Sequence, residues 1–197
     1  IVSGESEPDQ GERITPKKYH VEYLKQNPDF DENKTVLETV FESSQPLIQL
    51  VLQYEQILQQ LAKSPEDKKL QEQYTKIEEE MNRLDGWSVD AKAKSILSRL
   101  GISEFNKKMS ELSGGQIKRV ALAQVLVAEA DLLVLDEPTN HLDFSSILWL
   151  QNFLQNYPGA VLLVTHDRYF LDEVVQNIIE LDFNTLTTYP GNYAAYV

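Results

Sequence analysis

The sequence predicts a mixed α/β protein with a mostly parallel sheet and an inserted α-helical subdomain, and three observations carry that reading. After Ser110, short aliphatic runs at 132–135, 161–164 and 178–181 alternate with helical stretches, the pattern of strands joined by crossover helices. Between Pro46 and Leu84 the apolar residues recur instead in steps of three and four, a helical rhythm. The chain has 197 residues and is 42% hydrophobic, enough to bury a substantial core and to set it apart from disordered sequences.

In chain order, 4–11 is rich in turn formers, and Tyr19-His20-Val21-Glu22-Tyr23-Leu24 suits an extended segment. Gln26 follows, then a loop at Asn27-Pro28-Asp29-Phe30-Asp31. From Thr35 the pattern turns helical, beginning with Val36, Leu37, Val40 and Phe41. Leu50, Tyr54, Ile57 and Leu61 define one helical stripe, and Leu70, Tyr74, Ile77, Met81 and Leu84 define a second. Ser64-Pro65-Glu66-Asp67 supplies the turn between them. This predicts an antiparallel hairpin zipped along one apolar seam. Its other faces are rich in Glu, Gln and Lys, so it is expected to project into solvent, either as a contact arm or as a plain packing insertion. A further helix runs from about Val89 to Leu100 and stops at Gly101. The end of the chain, 178–189, reads as a β-hairpin centred on Asp182-Phe183-Asn184. The expected organisation is a core at 1–28 and 110–197, interrupted by a helical subdomain at 29–109 whose arm lies at about 46–84.

The bulk composition excludes several classes. A formal net charge of −13 argues against a general phosphate-neutralising face for nucleic acid, and no DNA partner is expected. The pairs Lys17-Lys18 and Lys107-Lys108 are short and read as solvated surface. Without cysteine there is neither a disulfide framework nor a thiolate metal site, which suits a reducing interior. No apolar run reaches the length of a membrane span, so no membrane contact is expected and the cytoplasm is the default location. The start, Ile1-Val2-Ser3-Gly4, has neither a basic leader nor an initiator methionine, and a truncated or processed chain is expected.

Chemistry concentrates in three places. Leu112-Ser113-Gly114-Gly115-Gln116 precedes a helix rich in Val120, Ala121, Leu122, Leu126 and Val127, which puts Ser113 at the cap position. Two readings stand: a capped helix after a turn, or a phosphate-oxygen site built from free N–H groups, two glycines and a hydroxyl. In Leu132-Leu133-Val134-Leu135-Asp136-Glu137-Pro138 an apolar strand delivers two adjacent carboxylates to its carboxyl end, where ligand sites form in open α/β sheets. Asp136 would hold Mg²⁺ through water, and Glu137 would orient and polarise an attacking water; the other reading, a buried strand ending in a polar turn, suits one acidic residue better than two followed by Pro138-Thr139-Asn140-His141-Leu142-Asp143. A second strand, Ala160-Val161-Leu162-Leu163-Val164-Thr165, places His166 at its carboxyl end; a lone histidine is usually structural or merely exposed, but this placement suits a γ-phosphate or that water. His20 and His141 have no comparable case, and no residue group spells a zinc site.

With these residues in place, the chain resembles the ATP-binding-cassette family. Gln26 matches its glutamine loop, Leu112 to Gln116 its signature, Leu132 to Glu137 its Walker B strand, Asn140 to Asp143 its D-loop, and His166 its switch histidine. The wording Glu137-Pro138-Thr139-Asn140-His141-Leu142-Asp143, together with Thr165-His166-Asp167-Arg168-Tyr169-Phe170-Leu171-Asp172, is similar to the ABC-F subfamily. The hairpin resembles the arm of that subfamily's first cassette, and Tyr189-Pro190-Gly191-Asn192-Tyr193 resembles that cassette's end. The resemblance implies an incomplete P-loop NTPase core of the ABC type, with ATP and Mg²⁺ as ligands. Glu137 and His166 would act in catalysis, Asp136 and Gln26 would hold the metal, and Gln26 and Asp143 would lie beside the nucleotide. Ser113, Gly114, Gly115 and Gln116 would cover the γ-phosphate of ATP held by a second cassette. It also implies action on the ribosome, with contacts to rRNA or tRNA.

None of the eight glycines is followed by lysine, so the phosphate-binding loop of such proteins is missing from this sequence. The chain by itself is therefore expected to bind ATP poorly and not to hydrolyse it, and to expose an apolar sheet edge. Two other readings compete: the nucleotide-binding subunit of a membrane transporter, against which the arm and Asn140-His141 weigh, and a non-catalytic module whose arm binds a partner. Chromosome-maintenance ATPases also carry a coiled coil before the signature, but a far longer one.

Overall fold

The computed structural model describes residues 1–43, 45–183 and 185–197. It divides into two compact units, one formed by Ile1–Gln26 with Asp131–Val197 and the other by Asn27–Ala130. The sequence reading drew the second boundary at 110. The contacts draw it after Ala130, because the helix that follows Ser113 packs its apolar faces against other helices.

The helical unit opens with α1 (Val36–Val40), started by a reciprocal cap. The Thr35 hydroxyl accepts the Glu38 N–H at 3.2 Å, and the Glu38 carboxylate accepts the Thr35 N–H at 2.8 Å. The hairpin follows as α2 (Pro46–Lys63) and α3 (Lys68–Leu84). Pro46 sits in the first turn of α2, where its missing N–H does no harm, and the Asp67 carboxylate caps α3 by accepting from the Lys69 and Leu70 amides. Leu50, Ile57 and Met81 of the expected seam are buried, and the Tyr54 and Tyr74 rings meet at 5.9 Å. Leu84 does not join the seam. It is about half exposed, because α3 ends there and Asp85, at φ 58°, swings the chain into α4 (Gly86–Arg99). A side chain at Gly86 would place its Cβ 2.3 Å from the Met81 sulfur, so a larger residue at this junction would have to displace the buried methionine side chain. The last helix of the unit, α5 (Gly114–Val127), buries Val120, Ala121, Leu122, Ala123, Val125, Leu126 and Val127.

The other unit holds a three-stranded parallel sheet in the order β1 (Val21–Leu24), β2 (Leu132–Asp136), β3 (Ala160–Val164). Leu24 pairs with Leu135, and Asp136 pairs with Val164. The central strand is buried at Leu133, Val134 and Leu135, as a strand flanked on both sides should be. The helices α6 (Phe144–Gln155) and α7 (Arg168–Val174) pack against each other. The run 178–181, grouped by composition with the strands of the parallel sheet, follows instead the other expectation, a β-hairpin over 178–189. It lies in β4 (Asn177–Asp182), which pairs antiparallel with β5 (Thr185–Pro190) as a separate hairpin, leaving Ile179 and Leu181 exposed. Pairing across a short turn closes little chain and wins over a distant partner. Of the expected turn residues, Asp182 and Phe183 are described and Asn184 lies outside the described residues. Among the described residues β3 has β2 as its one strand neighbour, and its Val164 is half exposed. A short α8 (Tyr193–Tyr196) is tied to the hairpin through Glu180, which accepts from the Tyr189 hydroxyl at 3.0 Å and the Tyr196 hydroxyl at 2.6 Å. No helix of the described residues is long and apolar enough to cross a membrane.

An ionic cluster lies at the root of the hairpin. The Lys94 ammonium reaches Glu55 and Asp90 at 2.9 Å each, and Glu55 is buried. Burial pushes the Glu55 carboxyl above its ordinary value despite the lysine beside it, and burial with Tyr74 pushes the Tyr54 phenol well up. A carboxyl that binds its proton more tightly in the folded chain than in the unfolded one favours folding below its unfolded pKa. That advantage is lost as pH climbs from 4.5 through the folded value. Glu55→Gln, neutral at every pH, should therefore gain melting temperature over the parent chain more at pH 7 than at pH 4.5. Thermal melts of the two proteins at both pH values check this, and an equal difference at both would refute it.

Candidate functional site

Parallel register puts the carboxyl ends of β1, β2 and β3 on one edge, so the residues just beyond Leu24, Leu135 and Val164 come together there. Those residues include Gln26, Asp136, Glu137, Thr165 and His166. The sequence expected the acidic pair and the imidazole at a common end, and the strand pairing puts them there.

Glu137 leaves β2 at φ 49°, a left-handed turn that costs a non-glycine residue about 1–2 kcal/mol. Hydrogen bonds to three consecutive residues hold it in that state. Its N–H donates to the Val164 carbonyl at 2.8 Å. The Thr165 hydroxyl donates to Oε2 at 3.1 Å, and the His166 N–H donates to Oε1 at 3.1 Å. The imidazole Nε2 stands 3.6 Å from the same Oε1 and is fully exposed, whereas the Glu137 side chain is 15% exposed. The turn continues through buried Pro138 and Thr139, with the Asn140 N–H donating to the Glu137 carbonyl at 3.2 Å. His141 also takes a left-handed φ, 66°.

Asp136 is half-buried, and among the described residues its carboxylate has no hydrogen-bond or ion-pair partner. Gln26 is exposed two residues beyond Leu24. No group of three His, Cys, Asp or Glu among the described residues surrounds a cation. One free carboxylate and one amide fit an ion that keeps most of its water and draws its other ligands from a substrate, as Mg²⁺ does.

Asp143, expected beside the nucleotide, caps α6. Its Oδ1 accepts the Ser146 N–H at 3.3 Å and its Oδ2 accepts the Ser145 hydroxyl at 2.7 Å. Hydrogen bonds from Ser146 and then Ser145 hold its carboxyl down at about 2.

The Ser113 segment lies in the helical unit and starts α5. The Ser113 hydroxyl accepts the Gln116 N–H at 3.3 Å, and the Gln116 side-chain oxygen accepts the Ser113 N–H at 2.9 Å. Gly114 and Gly115 occupy the first turn, where their N–H groups find no acceptor among the described residues. A Cβ at Gly114 would meet nothing within 4 Å, so packing within this unit does not require the glycine.

Thr165 was not singled out by the sequence reading. Its signal was a hydroxyl residue at a strand end between an apolar run and His166, which spacing alone cannot tell from a strand terminus. Besides bonding Glu137, its oxygen accepts the Asp167 N–H at 3.2 Å, and Asp167 caps α7 by accepting the Phe170 N–H at 3.1 Å.

A family model described as ABC transporter matches residues 1–140. Over all 197 residues the chain is 42% identical to the uncharacterized ABC transporter ATP-binding protein YfmR of Bacillus subtilis, spanning 31% of that protein. Over the same 197 residues it is 38% identical to the energy-dependent translational throttle protein EttA of Mycobacterium tuberculosis, spanning 35% of it. The chain thus spans about a third of the length of these curated relatives. A chain in the crystal structure of the complex of archaeal ribosomal stalk protein aP1 and archaeal ribosome recycling factor aABCE1 shares its fold. The TM-score is 0.58 at 22% identity, over 90% of this chain and 27% of that one. The family match runs from the first residue through the helical unit to the turn after Glu137, and the whole-chain relatives are ABC-F proteins, so this chain belongs to the ATP-binding-cassette family and to its ABC-F branch.

Proposed function

We propose that this chain is part of the first cassette of an ABC-F ATPase, without that cassette's phosphate-binding loop, and that the whole protein hydrolyses ATP at a site completed by a second cassette and acts on the ribosome. The observation that carries the catalytic part is the Glu137 carboxylate, fixed through both oxygens at the sheet's carboxyl edge with the exposed His166 imidazole 3.6 Å away. In this reading Glu137 accepts a hydrogen bond from the attacking water and draws its proton, and His166 steadies the charge gathering on the γ-phosphate. Asp136 and Gln26 hold hydrated Mg²⁺, which when bound neutralises the phosphate oxygens. The first-turn amides of Gly114 and Gly115, with Ser113 and Gln116 beside them, meet the γ-phosphate of ATP carried by the other cassette, and Asp143 lies along the same boundary.

The ribosomal part is supported by the relatives. The Mycobacterium tuberculosis protein is named for translation, and the archaeal complex for a ribosomal stalk protein and a ribosome recycling factor. The helical hairpin is the element available to reach rRNA or tRNA, and the cytoplasm is the corresponding location.

In the full-length protein, Glu137→Gln should lower kcat for ATP hydrolysis at least about 100-fold, the scale of a lost general base, while leaving nucleotide affinity within a few-fold. Phosphate-release assays and fluorescent-nucleotide titrations measure the two quantities, and unchanged turnover would sink the reading. The 197-residue chain itself should release no phosphate above background. Ser113 offers a separate test, since capping and phosphate contact make different demands. Ser113→Asp keeps a capping oxygen but sets a negative charge beside the γ-phosphate. It should therefore melt close to the parent while ATP turnover in the full-length protein falls at least tenfold. Ser113→Ala should lose about 1 kcal/mol of stability.

A further inference from the structure

We propose that Thr165 is a positioning residue for Glu137, its hydroxyl aiming the carboxylate. The proposal rests on the reading of Glu137 as the base. The bonding pattern fixes the direction of the hydroxyl. A threonine oxygen carries one proton and two lone pairs, and one lone pair already accepts the Asp167 N–H at 3.2 Å. Its proton is directed to Glu137 Oε2 at 3.1 Å, because an ionised carboxylate has nothing to donate. The other oxygen, Oε1, takes the His166 backbone N–H at 3.1 Å, while the imidazole Nε2 is farther away at 3.6 Å. The plane of the carboxylate is thus set by two donors from consecutive residues, one of them a side chain, and neither bond involves the ring.

The geometry separates the two neighbours. His166→Ala keeps its backbone N–H and should leave the carboxylate where it is. Thr165→Val, nearly the same shape, removes one of the two donors and frees Oε2 to turn. Because Thr165 also ties Glu137 to the capped start of α7, the hydroxyl fixes the base relative to the segment that carries His166.

Two measurements test this. In the ¹⁵N-labelled 197-residue chain, the His166 amide proton should move upfield and exchange faster in Thr165→Val, while Thr165→Ser keeps the parental values. The Glu137 bond that this resonance reports should survive in His166→Ala, read at the amide of Ala in that position. In the full-length protein, Thr165→Val should lower kcat about tenfold with KM for ATP within about twofold, the pattern of an interaction made only in the transition state, and Thr165→Ser should restore kcat to within about threefold of the parent. Parental kcat in Thr165→Val, a loss confined to KM, or Thr165→Ser falling as far as valine would each overturn the proposal. Should valine not fold, Thr165→Ala read against Thr165→Ser makes the same comparison. Failure of the base assignment shows separately, as full turnover in Glu137→Gln, and in that case the amide measurement still decides whether Thr165 aims the carboxylate.

Discussion

The register of the parallel sheet is the constraint on which the candidate site depends. Strand pairing fixes Leu24 against Leu135 and Asp136 against Val164, so the strands end together and their successors share one edge. A slip of one residue would reverse the faces of every side chain on a strand. Glu137 would then no longer meet the Val164 carbonyl, the Thr165 hydroxyl and the His166 amide, and its left-handed turn would lose the bonds that hold it. Burial of Leu133, Val134 and Leu135 protects the register, because any slip would carry the adjoining carboxylate into the apolar strand.

What could be read from the sequence follows from how local each signal is. The hairpin was legible because Pro46, the Ser64 to Asp67 turn and the three-four spacing all act within one or two helical turns, and α2 and α3 begin at Pro46 and just after Asp67. The strands β2 and β3 were legible as apolar runs ending in polar residues, and so was the meeting of Asp136, Glu137 and His166 at one edge, since parallel strands in such sheets end alike. The terminal hairpin was legible from the turn residues that divide 178–189, although 178–181 alone has the composition of a parallel-sheet strand. Partner choice for α5 was not, since it has the composition of a core helix and packs with the helical unit. Nor did anything in the sequence join Glu55 to Lys94, thirty-nine residues apart, or the Thr165 hydroxyl to Glu137. These are contacts between elements, and periodicity describes only one element at a time.

Several residues of the proposed site already have local work in the folded chain. Ser113 and Gln116 satisfy each other across the first turn of α5, and Asp143 satisfies the first turn of α6. For Ser113 to touch a phosphate, its hydroxyl proton is the free group, since its oxygen accepts from Gln116 while nothing among the described residues takes the proton. The Gly114 and Gly115 amides need no exchange at all, and the open space over Gly114 allows close approach. The helix start can therefore take up a phosphate without giving up its cap, so a stable fold and a binding site coexist on the same four residues.

The three acids between Asp136 and Asp143 show how one short segment separates roles by environment. Asp143 is fully committed, its two oxygens taken by Ser146 and Ser145 and its carboxyl held down at about 2, which suits a structural cap that must stay charged. Asp136 is at the opposite extreme, half-buried with no partner among the described residues, the state expected of a ligand whose counter-charge arrives with the substrate. Glu137 lies between them. Both its oxygens are anchored, yet each anchor is a single neutral donor, so the carboxylate keeps lone pairs for a water while its direction is fixed. Had a lysine or arginine supplied that anchor, the charge would have been neutralised and the base weakened. A hydroxyl and a backbone amide aim the carboxylate without quenching it, and for that reason a threonine, not a cation, fits the position before His166.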